Sequence, residues 1–194
     1  MLTARRLGKR YGEKRVLRRI DLELPRGGFL VVTGANGAGK TTLLRICAGL
    51  AQPTEGTIER EASRAQVGYL GHEPLVYREL TPLENLSLFA RLYRVDEPGE
   101  RVGMLLERFG LWDERNQRAD SFSRGMLQRL ALCRTLLHDP ELLVLDEPFS
   151  ALDEDGAALL DRELAELRTQ ATFVVSTHDP ARIEPLASQR LAFV

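Results

Sequence analysis

Long apolar runs are missing from this sequence. No stretch approaches the roughly 20 apolar residues that a membrane-spanning helix requires. The basic pair Arg5 and Arg6 is followed by Gly8 and Lys9 rather than by the apolar core of a signal peptide. We therefore expect this chain to work at a membrane only through a partner.

Cysteine is scarce as well. The two cysteines, Cys47 and Cys133, are far apart and have no neighbours at the spacing of metal ligands. This pattern argues against a cysteine metal centre. It favours two small, buried hydrophobic side chains in a reducing compartment.

Neither sign of charge is in clear excess. The 27 Lys and Arg residues and the 28 Asp and Glu residues leave a formal net charge of −1. The composition therefore gives no indication of a polyanionic partner, and we expect no nucleic acid, although a balanced total leaves local basic patches open. The length of 194 residues suits a single domain with a substantial core.

A glycine-rich phosphate-binding motif is present. It follows the apolar segment Phe29–Val32, precedes a predicted helix from Thr42 to Leu50, and fits G-x-x-x-x-G-K-[ST]. Its residues are Gly34, Ala35, Asn36, Gly37, Ala38, Gly39, Lys40 and Thr41. Glycines let backbone N–H groups converge on phosphate oxygens, Lys40 supplies a cation between the terminal phosphates, and the Thr41 hydroxyl is a ligand for Mg²⁺. The motif predicts binding of a nucleoside triphosphate.

The rest of the chain alternates between strand and helix patterns. Strands are predicted at 19–24, 29–33, 66–70, 142–145 and 172–176, and helices at 82–93, 101–109, 123–137 and 155–167. Thr81 and Glu84 form a capping box, with Pro82 at the first helical position. Unbroken apolar strands are typical of a parallel sheet that is buried on both faces. The sequence predicts an α/β fold with nucleotide at the carboxyl ends of the strands.

Two carboxylates, Asp146 and Glu147, directly follow the strand at 142–145. At that edge Asp146 is able to lie beside the phosphate loop and help hold Mg²⁺, the role of a Walker-B aspartate. Glu147 is placed to orient or deprotonate an attacking water. The alternative is a pair of solvated acids that cap the next turn.

Several motifs, in this order, resemble those of the nucleotide-binding subunits of ATP-binding-cassette (ABC) transporters, and the resemblance spans essentially the whole chain. Gly34–Thr42 matches the Walker A loop, and Leu142–Glu147 resembles Walker B. The further matches are Tyr11 at the aromatic residue that stacks on adenine, Phe122–Met126 at the signature, Ser150–Asp153 at the D-loop and His178 at the switch histidine. Taken alone, a Tyr such as Tyr11 is more often a packing residue than a stacking one, and a His such as His178 is usually a polar residue satisfied by hydrogen bonds.

The resemblance implies a P-loop NTPase with a RecA-like parallel sheet core, an N-terminal antiparallel β portion and an inserted helical sub-domain. It places one domain over 1–194, with the core at 1–76 and 140–194 and the helical sub-domain at about 77–139. It also implies an ATPase that uses ATP and Mg²⁺, with Glu147 and His178 catalytic. The implied ATP ligands are Tyr11 and residues 34–42, including Thr42, and the implied Mg²⁺ ligands are Thr41 and Asp146.

The resemblance further implies that two such subunits pair head to tail, as a homodimer or pseudo-dimer. The signature residues Ser123, Arg124, Gly125 and Met126 of one subunit then close on the γ-phosphate held by the other, with Asp153 in the D-loop. The start of the helix at 123–137 suits that role because its free N–H groups attract anions. Integral membrane transporter subunits are the other implied partners, and the implied location is cytoplasmic, peripheral on the inner face of the cell membrane.

Two departures from the family pattern stand out. Arg124 and Met126 replace the usual Gly and Gln of the signature, and His72 stands at the glutamine position of the Q-loop. Imidazole is a poorer Mg²⁺ ligand than an amide carbonyl. These features are similar to those of the ATP-binding subunits of haem exporters in cytochrome c maturation.

The alternatives that stay open are export of a drug, ion or lipid and a soluble ABC ATPase that acts on nucleic acid or ribosomes. A plain P-loop kinase or GTPase leaves the signature segment unexplained. The apolar residues of 75–92 either receive a membrane subunit or pack internally.

Overall fold

The computed structural model describes residues 1–193, and Val194, the last residue of the predicted domain, lies outside the described residues. The strands are β1 (Leu2–Tyr11), β2 (Lys14–Leu24), β3 (Phe29–Gly34), β4 (Glu55–Arg60), β5 (Val67–Leu70), β6 (Leu142–Asp146), β7 (Thr172–Ser176) and β8 (Gln189–Phe193). The helices are α1 (Lys40–Cys47), α2 (Pro82–Tyr93), α3 (Pro98–Arg108), α4 (Arg124–Leu136), α5 (Glu154–Leu167) and α6 (Pro180–Ile183).

The strands form two sheets. β2, β1 and β4 make a three-stranded antiparallel sheet, and the other five strands make a sheet of order β5-β6-β7-β3-β8. Every strand pair in the larger sheet is parallel. The predicted α/β class, with a parallel core and a separate N-terminal antiparallel portion, is confirmed.

The parallel sheet separates two hydrophobic clusters, because successive side chains of a strand point to opposite faces. Leu143 and Leu145 of β6 belong to the cluster that includes residues of α2, α3, α4 and α5. Leu142 and Val144 belong to the cluster that includes α1 and the antiparallel sheet. β6 and β7 are therefore buried along their whole length, as the unbroken apolar runs predicted.

Three helices, α2, α3 and α4, lie between β5 and β6 in the chain. The predicted capping box of α2 is present: the Glu84 N–H donates to Thr81 Oγ1 at 3.2 Å, and the Thr81 N–H donates to Glu84 Oε2 at 2.8 Å. The Ser123 hydroxyl caps α4 in the same way, accepting from the Met126 N–H at 3.2 Å. Local hydrogen bonds thus fix where both helices begin.

Several predicted boundaries are wrong for local reasons. β2 begins at Lys14 rather than at 19, because irregular pairing with β1 and a left-handed Arg19 (φ 45°) hide the alternation of its side chains. α1 begins at Lys40, inside the phosphate-binding motif, and ends at Cys47. β4 and β8 were not predicted, since neither is apolar enough to stand out from the loops.

Both cysteines are buried and free, as predicted. Burial raises the pKa of the Cys47 thiol to about 12 and also raises the pKa of Cys133, so both thiols are protonated at neutral pH. Among residues 1–193, no helix has the length and hydropathy that crossing a membrane requires.

Candidate nucleotide site

The phosphate loop joins β3 to α1, and three of its glycines adopt backbone conformations that residues with a Cβ rarely adopt. Gly34, Gly37 and Gly39 have φ values of 144°, 79° and 110°. A Cβ on Gly34 would lie 2.7 Å from the Cβ of Phe193, and one on Gly39 would lie 2.8 Å from a methyl of Leu17. The loop therefore packs directly against β8 and β2, and its backbone is free to approach a ligand.

Lys40 folds back over this loop. Its Nζ donates to the carbonyl of Gly34 at 2.8 Å and to that of Ala35 at 3.4 Å, and it lies 3.7 Å from Glu147 Oε1. The side chain is 8% exposed. A largely buried ammonium is thus held between the loop backbone and a carboxylate, where a phosphate group would meet it.

Asp146 ends β6 and is 2% exposed. Its Oδ2 accepts a hydrogen bond from the Thr41 hydroxyl, and its Oδ1 accepts one from the Ser176 hydroxyl, each at 2.6 Å. Asp146 pairs with Ser176 in the β6–β7 register, so the sheet itself sets this contact. Ser176 was not predicted as a site residue; a hydroxyl at the end of a buried strand was the only signal for it.

Glu147 and His178 meet beside Lys40. The backbone N–H of His178 donates to Glu147 Oε2 at 3.0 Å, and His178 Nε2 lies 3.2 Å from Glu147 Oε1. Glu147 has a left-handed backbone (φ 51°), and its N–H donates to the hydroxyl of Ser176 at 3.0 Å. Oε1 is buried and makes no well-aligned hydrogen bond with residues 1–193. One carboxylate oxygen is therefore anchored while the other is available to accept a proton.

These residues line a cleft of about 630 Å³ at the carboxyl edge of the parallel sheet. The predicted residues that line it are Tyr11, Ala35, Asn36, Gly37, Gly39, Lys40, Thr41, Thr42, His72, Asp146, Glu147 and His178. Lys14 and Val16 line it as well and were not predicted, and so does Ser150, the first residue of the predicted D-loop. Gly34 and Ala38 lie in the phosphate loop but are not part of the lining. Tyr11 is 50% exposed, and Lys9 Nζ lies over its ring, 5.0 Å from the ring centroid.

Another cavity, of about 240 Å³, lies where β6 begins, at the opposite edge of the sheet. Its buried acid, Glu163, is paired with Arg108, and Arg108 also pairs with Glu166. In parallel α/β sheets, ligands bind at the carboxyl edge. The larger cleft is therefore the candidate site.

The signature residues and Asp153 of the D-loop do not line the cleft as residues 1–193 form it, although Ser150, the first D-loop residue, does. Ser123 and Arg124 are exposed at the start of α4. A Cβ on Gly125 would lie 3.1 Å from the carbonyl of Ala151, so the signature segment packs against the D-loop of its own chain. Asp153 caps α5 by accepting from the Gly156 N–H at 2.9 Å.

The apolar residues that follow His72 divide between two environments. Leu75 and Leu83 are 52% and 38% exposed, and Tyr77 is 51% exposed. Leu86 is fully buried in the core. Within 75–92, Leu86 therefore packs internally, whereas Leu75, Tyr77 and Leu83 face outward.

The donors at the cleft suit Mg²⁺ bound together with phosphate. Thr41 and Asp146 supply hard oxygen ligands, which Mg²⁺ prefers. No group of three or more His, Cys, Asp or Glu side chains within the described part of the chain is arranged to hold a metal.

Comparison with known proteins agrees with this geometry. Residues 17–150 match the family model described as ABC transporter. The chain is 34% identical to the ABC transporter ATP-binding protein NatA of Bacillus subtilis, over 96% of this chain and 82% of the relative. It is 42% identical to the cytochrome c biogenesis ATP-binding export protein CcmA of Methylococcus capsulatus, over 80% of this chain and 79% of the relative. The chain spans 62% to 65% of the length of three other curated relatives.

A solved structure of an ATP-binding cassette has the same fold as this chain. It is a dimeric, post-hydrolysis state of an ATP-binding cassette with bound ADP and Pi. The two folds superpose with a TM-score of 0.90 at 26% identity, covering 100% of this chain and 94% of that one. The chain therefore belongs to the ABC transporter family, as an ATP-binding, ATP-hydrolysing subunit.

Proposed function

We propose that this subunit powers export across the cytoplasmic membrane, with Lys40, Glu147 and His178 as the centre of its hydrolytic site. The observation that carries the proposal is the contact between Glu147 and His178, at 3.2 Å and 3.0 Å, beside the Lys40 ammonium. In this reading the phosphate-loop backbone and Lys40 hold the phosphates and Tyr11 stacks on adenine. Glu147 takes a proton from the attacking water through Oε1, and His178 steadies the γ-phosphate.

Thr41 and Asp146 would hold Mg²⁺. Bound there, the ion neutralises charge on the β- and γ-phosphates. The chain prepares this position by burying Asp146 and orienting both of its oxygens with hydroxyl donors. Since the Asp146 carboxylate is 2% exposed, its negative charge is poorly screened by water and attracts a cation strongly.

We propose that two subunits pair head to tail, as a homodimer or pseudo-dimer. Ser123, Arg124, Gly125 and Met126 then close on the nucleotide of the partner, and Asp153 lies in the D-loop at the same interface. The proposal is supported by the position of these residues outside their own cleft and by the exposed start of α4. A two-fold arrangement gives two complete sites from one self-complementary surface.

Integral membrane subunits are the proposed second partner, which makes the chain peripheral on the cytoplasmic face of the membrane. The exposed side chains of Leu75, Tyr77 and Leu83 lie just after His72 and offer an apolar surface for such a contact. Haem export for cytochrome c biogenesis is the proposed activity of the complex, supported by the relative named for that process. Co-purification with a membrane protein from the native cell tests this assignment, and recovery with a drug, ion or lipid exporter would replace it.

We also propose a division of the chain into a core at 1–76 and 140–194 and a helical sub-domain at about 77–139. The support is the position of α2, α3 and α4 between β5 and β6. Limited proteolysis with and without nucleotide tests the division, because a separate sub-domain should be cut first near 76 and 140.

Glu147→Gln is the experiment that tests the catalytic assignment. The amide keeps an acceptor for the backbone N–H of His178 but cannot take a proton from water, so we expect hydrolysis to slow by about 10²- to 10⁴-fold. Binding of ATP should persist, and the dimer should accumulate. Glu59→Gln is the matched control, because Glu59 is an exposed acid on β4, in the antiparallel sheet. A normal rate of hydrolysis in Glu147→Gln would contradict the proposal.

A further inference from the structure

Arg182 attaches α6 to α5 through a paired set of contacts. Its Nε donates to both carboxylate oxygens of Asp161, at 3.2 Å and 3.0 Å. Its Nη2 lies 3.0 Å from Asp161 Oδ2 and 3.6 Å from Glu154 Oε1. The Arg182 side chain is 25% exposed and the Asp161 side chain 38% exposed, so the pair is partly shielded from water. A planar guanidinium in a forked contact holds one geometry better than a flexible ammonium does.

The same guanidinium packs on the loop that carries Glu147. The Cζ of Arg182 lies 5.2 Å from the ring centroid of Phe149, and the half-buried Phe149 packs against the core. Phe149 follows Glu147 by two residues, and Arg182 follows His178 by four. Arg182 therefore joins the two segments that carry the Glu147–His178 contact, from outside the cleft lining.

Hydrogen bonds already tie the two segments where they begin: the Glu147 N–H donates to the Ser176 hydroxyl at 3.0 Å, and the backbone N–H of His178 donates to Glu147 Oε2 at 3.0 Å. The segment after β7 is held by a local turn, in which the Asp179 N–H donates to Thr177 Oγ1 at 3.0 Å, and by the buried side chain of Ile183. Glu147 itself has a left-handed backbone, which non-glycine residues adopt only when their surroundings impose it. Arg182 adds a further tie between the two segments, two residues beyond Glu147 and four beyond His178.

We propose that Arg182 is a positioning residue for ATP hydrolysis, which fixes the distance between Glu147 and His178 through its contacts with Asp161 and Phe149. This inference rests on the roles proposed above for Glu147 and His178. Arg182 does not line the nucleotide cleft, so its loss should slow the chemical step without weakening the binding of ATP.

The test compares Arg182→Ala, Arg182→Lys and the control Arg190→Ala in the full chain. Arg190 forms an exposed ion pair with Glu184, away from the cleft. We expect Arg182→Ala to lower kcat about tenfold and to leave KM and the Kd for ATP within about twofold. Arg182→Lys should fall between the wild type and Arg182→Ala, because it keeps the charge and loses the fork. Arg190→Ala should match the wild type.

A merely structural role for Arg182 is separated by a double-variant cycle with His178→Ala. If Arg182 acts through His178, the double variant should hydrolyse ATP no more slowly than His178→Ala alone. Losses that multiply, or an unchanged kcat in Arg182→Ala, would overturn the inference. If Arg182→Ala does not fold, Arg182→Lys and Asp161→Asn carry the same comparison. A normal rate in Glu147→Gln sinks the proposed function instead, so the two failures are distinguishable.

Discussion

Ser176 offers the sharpest test of how the site is built. Its side chain is fully buried and does two things at once: the hydroxyl donates to Asp146 Oδ1 at 2.6 Å and accepts from the Glu147 N–H at 3.0 Å. Ser176→Ala removes both contacts with little change in volume. Asp146 keeps the hydroxyl of Thr41, and the Glu147 N–H keeps the carbonyl of Ser176 at 3.2 Å. The unreplaced loss is therefore the donor to a buried carboxylate.

A hydrogen bond to a charged group contributes about 1.5–3 kcal/mol, against about 1 kcal/mol for a neutral one. We therefore expect Ser176→Ala to lower the free energy of unfolding by about 2 kcal/mol. Ser188→Ala is the matched control. The Ser188 hydroxyl also serves the parallel sheet, accepting from the Phe29 N–H at 2.9 Å and donating to its carbonyl at 3.3 Å, but it touches no charge. That variant should lose about 1 kcal/mol.

The measurement is urea unfolding of both variants at pH 7, followed by titration with a non-hydrolysable ATP analogue and Mg²⁺. Groups that orient a metal-binding carboxylate typically affect metal affinity by 10- to 100-fold. Ser176→Ala should thus weaken binding of the Mg²⁺–nucleotide complex by about tenfold, and Ser188→Ala should leave it unchanged. If Ser176→Ala proves no more destabilising than Ser188→Ala and binds as tightly, Asp146 does not depend on this hydroxyl and the reasoning is refuted.

Two further outcomes are expected. Lys40→Ala should abolish measurable nucleotide binding, since it removes the buried cation 3.7 Å from Glu147; unchanged affinity by calorimetry would contradict its place at the phosphates. Burial lowers the pKa of His138, whose ring lies 4.2 Å from that of Tyr93 and whose Nε2 lies 3.2 Å from the carbonyl of Val67. The stability that the neutral ring gives is complete above the unfolded pKa of about 6.5 and is lost as the pH falls through the lower folded pKa. His138→Gln should therefore lose less of its free energy of unfolding between pH 7 and 5 than the wild type does, and equal losses would argue against His138 as the cause.

The phosphate loop, the capping box of α2 and the buried strands could be predicted from the sequence, because each depends on residues close together in the chain. Glycines at 34, 37 and 39 are required by their own backbone angles, and Thr81 and Glu84 satisfy each other within one helical turn. The apolar strands β6 and β7 read directly as buried. β4 and β8 could not be predicted, since they are held by pairing with distant strands and not by their own composition.

The sequence by itself therefore determined the identity of the motif residues and the fold class, since local backbone angles and side-chain periodicity are set by near neighbours. Only the tertiary structure decided what holds those residues in place. Ser176 meets Asp146 because β6 and β7 are adjacent, 30 residues apart in the chain. Arg182 meets Phe149 because α6 packs beside the loop after β6. Such contacts depend on how the sheet brings distant segments together. The spacing of residues along the chain does not predict which distant segments become neighbours.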